Sequence, residues 1–335
     1  MKELTLYLKS TGGFKENIPH SDTIFGAICW GIRLFYGEKI LMDLLASYQT
    51  TNPVLLISSA FPFIAQENNI THLFPKVCSP PLKPAEEKSH YKLQKKFAKT
   101  QYVDGDVFQE IINYGYKEWD LWDKFLKKEY LLSVDEKILS KKKITALPMK
   151  VDTIPGNAVD RIRAGTIEGK LYHTNEVFFE SDCGAFILLR CQEEWLSKVL
   201  AVFRFYGDKG IGGDFSVGKG HYQLEFRENF PFKEPVSGKH WISLSLYFPT
   251  SEEWKFFQKN SEDCWYKIIR RKGKMESSFS ESTNIWKQSV IMIEEGSVFP
   301  TLENQKIYGM LPVVKEKSDN TKIYHYGLAF TVKME

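Results

Sequence analysis

The sequence predicts an α+β protein. It opens strand–helix–strand, its last third alternates strands with one short helix, and its composition is that of an ordinary folded chain. The chain has 335 residues, 43% of them hydrophobic and 26% charged, too apolar for long disordered or low-complexity stretches. That length allows one large or two medium domains, each able to bury a core. The 45 Lys+Arg against 42 Asp+Glu leave a formal charge of +3. So small an excess excludes a free-standing basic protein that coats nucleic acid by its field alone. Where the charge sits matters more than its sum.

Residues Lys2 to Lys9 read as the first strand by β-propensity and apolar content. After a turn at Gly12-Gly13 comes His20-Ser21-Asp22-Thr23, then Ile24, Phe25, Ile28, Cys29, Ile32 and Phe35 at helical spacing, with Ser21 or Asp22 expected to cap the start. Gly37 marks a break before a second helix, Lys39 to Tyr48, and Pro53 to Ser59 is the next strand.

Residues 83–150 differ in texture, with 15 lysines, 11 acidic residues and no arginine, a local excess of +4 against about −1 elsewhere. Recurring aromatic and leucine residues (Tyr114, Trp119, Trp122, Phe125) make this a helical insert. Its lysines either cover a solvated face or meet phosphates, the former being the usual case. A hairpin-like region follows from Asn157 through Phe179, then a strand from Ala185 to Cys191. An amphipathic helix from Trp195 to Tyr206 is expected to end at Gly207. A glycine-rich loop, Asp208 to Gly220, feeds the strand His221 to Phe226.

Residues 1–230 are thus expected to form the first domain, with insert 83–150, hairpin about 151–180 and loop 207–220. After a linker, residues 236–335 form a smaller α+β domain. Its strands are expected at Trp241–Phe248, Cys264–Arg270, Ser289–Ile293, Ile307–Val314 and Tyr324–Lys333, with a helix near Glu252–Gln258.

The five cysteines (Cys29, Cys78, Cys183, Cys191, Cys264) form no C-x-x-C pair, and no histidines stand in H-x-x-x-H spacing beside a glutamate. Reduced core thiols are expected, with no metal, cofactor or disulfide framework. Met1 leads into a strand pattern rather than a signal segment, and no apolar run reaches the ~18 residues of a membrane span. A cytoplasmic protein without membrane contact is expected.

Six glycines (207, 210, 212, 213, 218, 220) fall within fourteen residues. Glycine lets backbone N–H groups approach a ligand with no Cβ in the way, so such a row can cradle phosphate oxygens. Gly213 to Gly220 nearly spells a P-loop, but Gly220 stands where the magnesium-binding hydroxyl belongs. The loop also follows a helix and opens a strand, the reverse of a P-loop. An NTPase is therefore not expected. Lys209, Ser216 and Lys219 stand beside the amides, where a single RNA strand could lie.

The loop Gly210-Ile-Gly-Gly-Asp-Phe-Ser-Val-Gly-Lys-Gly220 resembles the glycine-rich motif of the RAMP proteins of CRISPR effector complexes. The stretch His20 to Trp30 is similar to the first-helix motif of the family of fourth Csm subunits of type III-A complexes. Asn157-Ala-Val-Asp-Arg-Ile-Arg163 through Tyr172 resembles that family's β-hairpin thumb, and Glu295-Gly-Ser-Val-Phe299 is a further match. The motifs span nearly the whole chain in the family's order.

The resemblance implies two ferredoxin-like (RRM-like) RAMP domains and no nuclease activity. It implies partners: the 5′ repeat-derived tag of the guide RNA, target RNA indirectly through the guide duplex, the large polymerase-like subunit and the backbone RAMP subunit. Carried over, His20, Ser21, Asp22, Lys209, Gly210, Gly212, Gly213, Ser216, Gly218, Lys219 and Gly220 line the tag site. Arg161 and Arg163 belong to the thumb, with Ile162 or Ile167 as a wedge into the base stack. The rival expectations are a guide-processing endoribonuclease with His20 as general base, and a scaffold that touches only protein.

Overall fold

The computed structural model describes residues 1–50, 52–66, 69–84, 88–145, 147–160, 162–163, 165–273, 286–316 and 322–335; Arg161 lies outside them. The chain opens with β1 (Lys2–Ser10) and β2 (Phe14–Lys15), then α1 (Ser21–Ser47), β3 (Leu55–Ile57), β4 (Phe61–Gln66) and β5 (Asn69–Pro75). Next come α2 (Lys88–Phe97), β6 (Tyr102–Asp104), α3 (Gly105–Tyr114), α4 (Glu118–Leu126), β7 (Leu131–Leu132) and β8 (Ile138–Ser140). A long hairpin, β9 (Met149–Asp160) and β10 (Gly165–Phe179), leads to β11 (Cys183–Cys191), α5 (Glu193–Lys209) and β12 (Tyr222–Glu228). The last third holds β13 (His240–Ser243), α6 (Ser251–Lys259), β14 (Ile268–Arg271), β15 (Val290–Ile293), β16 (Val298–Pro300), β17 (Val313–Glu316), β18 (Lys322–Tyr324) and β19 (Thr331–Met334).

The α+β class is observed. The main sheet runs β12-β1-β11-β4-β5-β6-β8-β7, with β3 also paired to β11. β1 and β11 are buried on both faces. Leu4, Leu6 and Leu8 share one face and Tyr7 the other, all at most 4% exposed. On the face of Tyr7 lies an aromatic cluster: Phe63, His72, Phe186, Phe74 and Phe108, with Phe74 and Phe108 stacked at 4.2 Å. Helices α1 and α5 cross where Gly31 meets Val202; a Cβ on Gly31 would stand 2.4 Å from Val202 Cγ1. Larger residues there would force the helices apart.

The expected break at Gly37 is present: α1, Ser21 to Ser47, is two helices joined at a kink there, where φ is 86°. Several other expectations change. His20, not Ser21 or Asp22, is its N-cap and makes no side-chain cap bond. The insert is not purely helical. It adds β6, β7 and β8 to the main sheet, because Leu73–Pro75 of β5 offers an edge to which Tyr102–Asp104 pairs. Such two- or three-residue strands exist only by pairing and leave no periodic trace in sequence.

α5 continues past Gly207, which is buried in the helix where a Cβ would meet the Tyr222 carbonyl oxygen at 2.7 Å. Gly207 thus serves close approach, and Gly210 (φ 90°) ends the helix. In the last third, the expected strand Tyr324–Lys333 divides into β18 and β19, Trp241–Phe248 is strand only to Ser243, and Ile307–Val314 begins its strand at Val313.

β13 lies between β16 and β19, and β14–β15 and β17–β18 are separate hairpins. A core of Trp241, Tyr247, Phe257, Phe299 and Tyr308 lies within this part. Ile242, Leu244, Tyr326, Leu328, Phe330 and Val332 belong instead to the main core. The Tyr326 ring packs at 4.9 Å from Phe25, and its hydroxyl accepts from the Ile57 amide at 3.1 Å. The first and last parts of the chain therefore share one apolar interior.

Candidate nucleic-acid interface

The glycine loop has a neck and a crest. At the neck Gly210 and Gly220 are buried, and the Ile211 amide donates to the Gly220 carbonyl at 2.9 Å. A Cβ on Gly210 or Gly220 would stand 2.2 Å from the Lys219 carbonyl oxygen or 2.0 Å from that of Ile211. Both positions also have positive φ, so only glycine closes the neck. At the crest, Gly212, Gly213, Ser216 and Gly218 are exposed. The amides of Gly212, Gly213 and Ser216 have no backbone partner among the described residues.

This loop is braced against two other pieces. The Gly220 amide donates to the Gly13 carbonyl at 2.9 Å, and Lys15 of β2 pairs with Asp214 at 2.8 Å. Lys219 donates to Glu176 of β10, a carboxylate whose side chain is 3% exposed. Two of the side chains beside the loop are therefore engaged within the protein. Lys219 is tied to the hairpin base, and the Lys209 ammonium lies over Phe215 at 4.8 Å.

β10 joins β2 through Glu176↔Lys15 and Val177↔Phe14, and it pairs along its length with β9. Within β9 and β10, Glu176 and Val177 are the only buried residues among those described. Twelve residues of β9 extend about 40 Å, so most of the hairpin stands away from the core. Gly156 faces Tyr172, whose ring lies across the space a Cβ would fill. The tip turns on Asp160, whose carboxylate accepts from the Ile162 and Arg163 amides at 2.9 and 3.2 Å. Ile162 is 96% exposed, Ile167 is exposed, and the Arg163 side chain is 87% exposed.

His20, Ser21 and Asp22 meet other partners, 38 to 275 residues away in sequence. His20 Nδ1 lies 2.8 Å from Glu295 Oε1, and Glu295 also accepts from the Ser59 hydroxyl. Ser21 is fully buried; its amide donates to Ser59 Oγ at 2.9 Å and its Oγ accepts from the Leu246 amide at 3.0 Å. Asp22 accepts two bonds from Arg271 of β14, each 2.9 Å, from Nε and Nη2. His325 stands 3.5 Å from Asp22, and among the described residues neither of its ring nitrogens has a hydrogen-bond partner. Two sequence motifs, around His20 and Glu295, thus meet at a seam between the first and last thirds. Their recorded partners do not include the glycine loop.

Burial alone would lower the His20 pKa, but the charge and hydrogen bond of Glu295 outweigh it and raise the value. Burial would raise Glu295 and Asp22, yet His20 and Arg271, respectively, hold them below the usual carboxylate range. Burial pushes His325 down to about 4, so it is neutral and its approach to Asp22 is not an ion pair. Burial also pushes the thiols of Cys29 and Cys191 up to about 12, and all five cysteines are unpaired.

Among the described residues no group of three or more acidic, histidine or cysteine side chains could hold a metal. None of their helices is long and apolar enough to cross a membrane. Many insert lysines are neutralised locally: Lys96 and Lys99 by Glu136, Lys124 by Glu129, Lys127 by Asp123 and Lys141 by Glu110. Nothing in the sequence pattern marks Lys15, Glu176 or Ser59 as partners. The basic run Arg270-Arg271-Lys272 was visible but unassigned.

Comparison with known proteins follows the same outline. Residues 236–334 match the family model of the CRISPR Csm4 C-terminal domain. The CRISPR system protein Csm4 of Thermococcus onnurineus (strain NA1) is 25% identical over 346 residues, an alignment covering all of this chain and 97% of that protein. The fold matches a Csm3–Csm4 subcomplex of a type III-A CRISPR-Cas interference complex with a TM-score of 0.67, 16% identity and full coverage of both chains. It also matches a Csm1–Csm4 cassette in complex with cA4 with a TM-score of 0.62 and 20% identity, covering all of this chain and 98% of that one. In sequence the chain is thus similar to a Csm4 protein, and in fold to chains of type III-A CRISPR assemblies. Residues 236–334 carry the match to the Csm4 C-terminal domain, and the first-helix, hairpin and glycine-loop motifs lie in the part of the chain that the Csm4 relative also covers.

Proposed function

We propose that this chain is a non-catalytic RNA-holding subunit of a type III-A CRISPR complex in antiviral defence. It grips the 5′ repeat-derived tag of the guide RNA and bridges the large polymerase-like subunit to the backbone subunit. Domains 1–230 and 236–335 are its two ferredoxin-like halves, and the β9–β10 hairpin is the thumb that meets the guide–target duplex. The observation that carries this reading is the bracing of the glycine crest against the hairpin base through Lys219–Glu176 and Lys15–Asp214. One continuous surface then offers exposed amides beside an exposed hairpin whose tip bears Arg163 and Ile162. The amides serve phosphates, and the apolar tip serves a base step. His20, Ser21 and Asp22 act by fixing the last third of the chain beside that surface. The Csm1–Csm4 and Csm3–Csm4 assemblies of the relatives support the same two protein neighbours here.

The test is co-purification with the other subunits of its locus, followed by crosslinking and sequencing of bound RNA. Crosslinks from residues 212–218 and the hairpin to the 5′ tag are expected. A purified complex whose tag crosslinks only to other subunits would refute the tag-holding role. The His20–Glu295 pair gives the second reading its one support, since a carboxylate can orient a histidine base. Site-specific cleavage of repeat RNA in EDTA, lost in His20→Ala, would establish that reading instead.

A further inference from the structure

The β14–β15 hairpin carries charge of one sign. Residues 264–273 and 286–293, its two strands and their flanks, hold five basic residues (Lys267, Arg270, Arg271, Lys272 and Lys287) and no acidic one. Among the described residues only Arg271 of these is in an ion pair, with Asp22. The two faces of the hairpin differ, because residues paired directly across the strands share a face. Ile269 with Met292 and Arg271 with Val290 form the inner face, where Met292 is 1% exposed. Ile268 with Ile293 and Arg270 with Ile291 form the outer one. At its base Ile293 packs into the aromatic core of the last third, but Ile268 and Ile291 are 61% and 63% exposed. Lys267, Arg270 and Lys272 are exposed as well. Among the described residues β14 pairs with no strand but β15.

The chemistry of this outer face selects its occupant. A lone exposed isoleucine is ordinary, but Ile268 and Ile291 are diagonal neighbours across the strands and form an apolar step bordered by cations. The cations call for carboxylates, and the aliphatic step calls for apolar side chains. RNA suits these groups less well, since isoleucine offers no ring on which a base can stack. One face of Tyr266 is taken by Phe299, stacked at 5.8 Å, and Lys272 lies 5.2 Å from the Trp286 ring. A second copy of the same face would set like charges together. We infer that Ile268, Arg270 and Ile291, with Lys272 beside them, dock an acidic, amphipathic segment of a neighbouring protein. The segment lays apolar side chains on the two isoleucines and carboxylates on the two cations. This rests on the subunit reading above and gives it a protein-facing surface built from the last third of the chain.

The test uses the full chain and the large and backbone subunits of its own locus, each purified, with pairwise affinity read by biolayer interferometry across a salt series. Arg270→Glu with Lys272→Glu reverses the charge, and Ile268→Ser with Ile291→Ser removes the apolar step. All four side chains are exposed, and unfolding midpoints are measured alongside. Binding to one of the two subunits about tenfold weaker in each double variant is expected, with the salt dependence altered in the charge-reversed one alone. Anisotropy with fluorescein-labelled guide RNA should match the wild type in both. Unchanged affinity for both subunits in either double variant overturns the docking face. Weaker RNA binding with both protein affinities unchanged would make it an RNA surface instead. Self-association in sedimentation that the variants abolish would make it a contact between copies, and either result overturns the proposal. A wild type that binds neither subunit removes the subunit reading and the docking face with it. Weakened binding in both double variants, in a complex whose tag crosslinks elsewhere, would uphold the docking face and refute only the tag-holding role.

Discussion

Replacing Arg271 by alanine tests the seam most directly. Asp22 is 4% exposed at its side chain and takes both its Arg271 bonds at 2.9 Å. Removing the guanidinium strands a carboxylate in a poorly solvated place, and breaking a buried pair from one side costs about 3–5 kcal/mol. Arg271 reaches solvent and water can enter behind it, so a cost shifted below that range, about 2–4 kcal/mol, is expected here. For a chain of this size that corresponds to a midpoint about 3–6 °C lower. Asp22→Asn keeps the shape and removes the charge, so Asp22→Asn with Arg271→Ala should lose less than the sum of the singles, a coupling of about 1–3 kcal/mol. Thermal unfolding of the four proteins at neutral pH gives the cycle. A single Arg271→Ala within about 0.5 kcal/mol of the wild type, or additive losses, would refute the claim that this pair is a buried, interdependent contact.

The His20–Glu295 pair sets a pH window. His20 is raised, so its contribution is full below the ordinary histidine value and lost as pH rises through its folded value. Glu295 is lowered, so its contribution is present above the ordinary glutamate value and lost as pH falls through its folded value. The pair therefore stabilises most between about pH 4.5 and 6.5, and midpoint-versus-pH curves of wild type and His20→Ala that run parallel would contradict it. In the glycine loop, Gly220→Ala should unfold several degrees early because its Cβ meets the Ile211 carbonyl oxygen. Gly218→Ala has open space and should lose only about 1–2 kcal/mol from its φ of 88°; equal midpoints for the two variants would refute the neck-and-crest division. Cutting the hairpin beyond the Asn157↔Leu171 pair and closing it with a two-residue turn should leave the midpoint unchanged, since none of the described residues removed is buried. A large drop in circular dichroism melting would show that the tip supports the core.

The sequence by itself determined the elements that local forces write. The strand at Lys2–Lys9, the glycine break in the first helix, the hairpin and the glycine loop each follow from near-neighbour pattern and backbone freedom, and the motifs carried their likeness to the fourth Csm subunits. Tertiary structure decided what those pieces touch. The strands of the insert form because β5 presents an edge to pair with, and Gly207 lies within a helix because Tyr222 packs against it. His20-Ser21-Asp22 was legible as the start of a helix, and its bonds run to Glu295, Leu246 and Arg271, more than two hundred residues away. Hydrogen bonds and charges act over a few ångströms in space, whatever the distance along the chain, so only the folded chain could show that the first and last thirds are joined there.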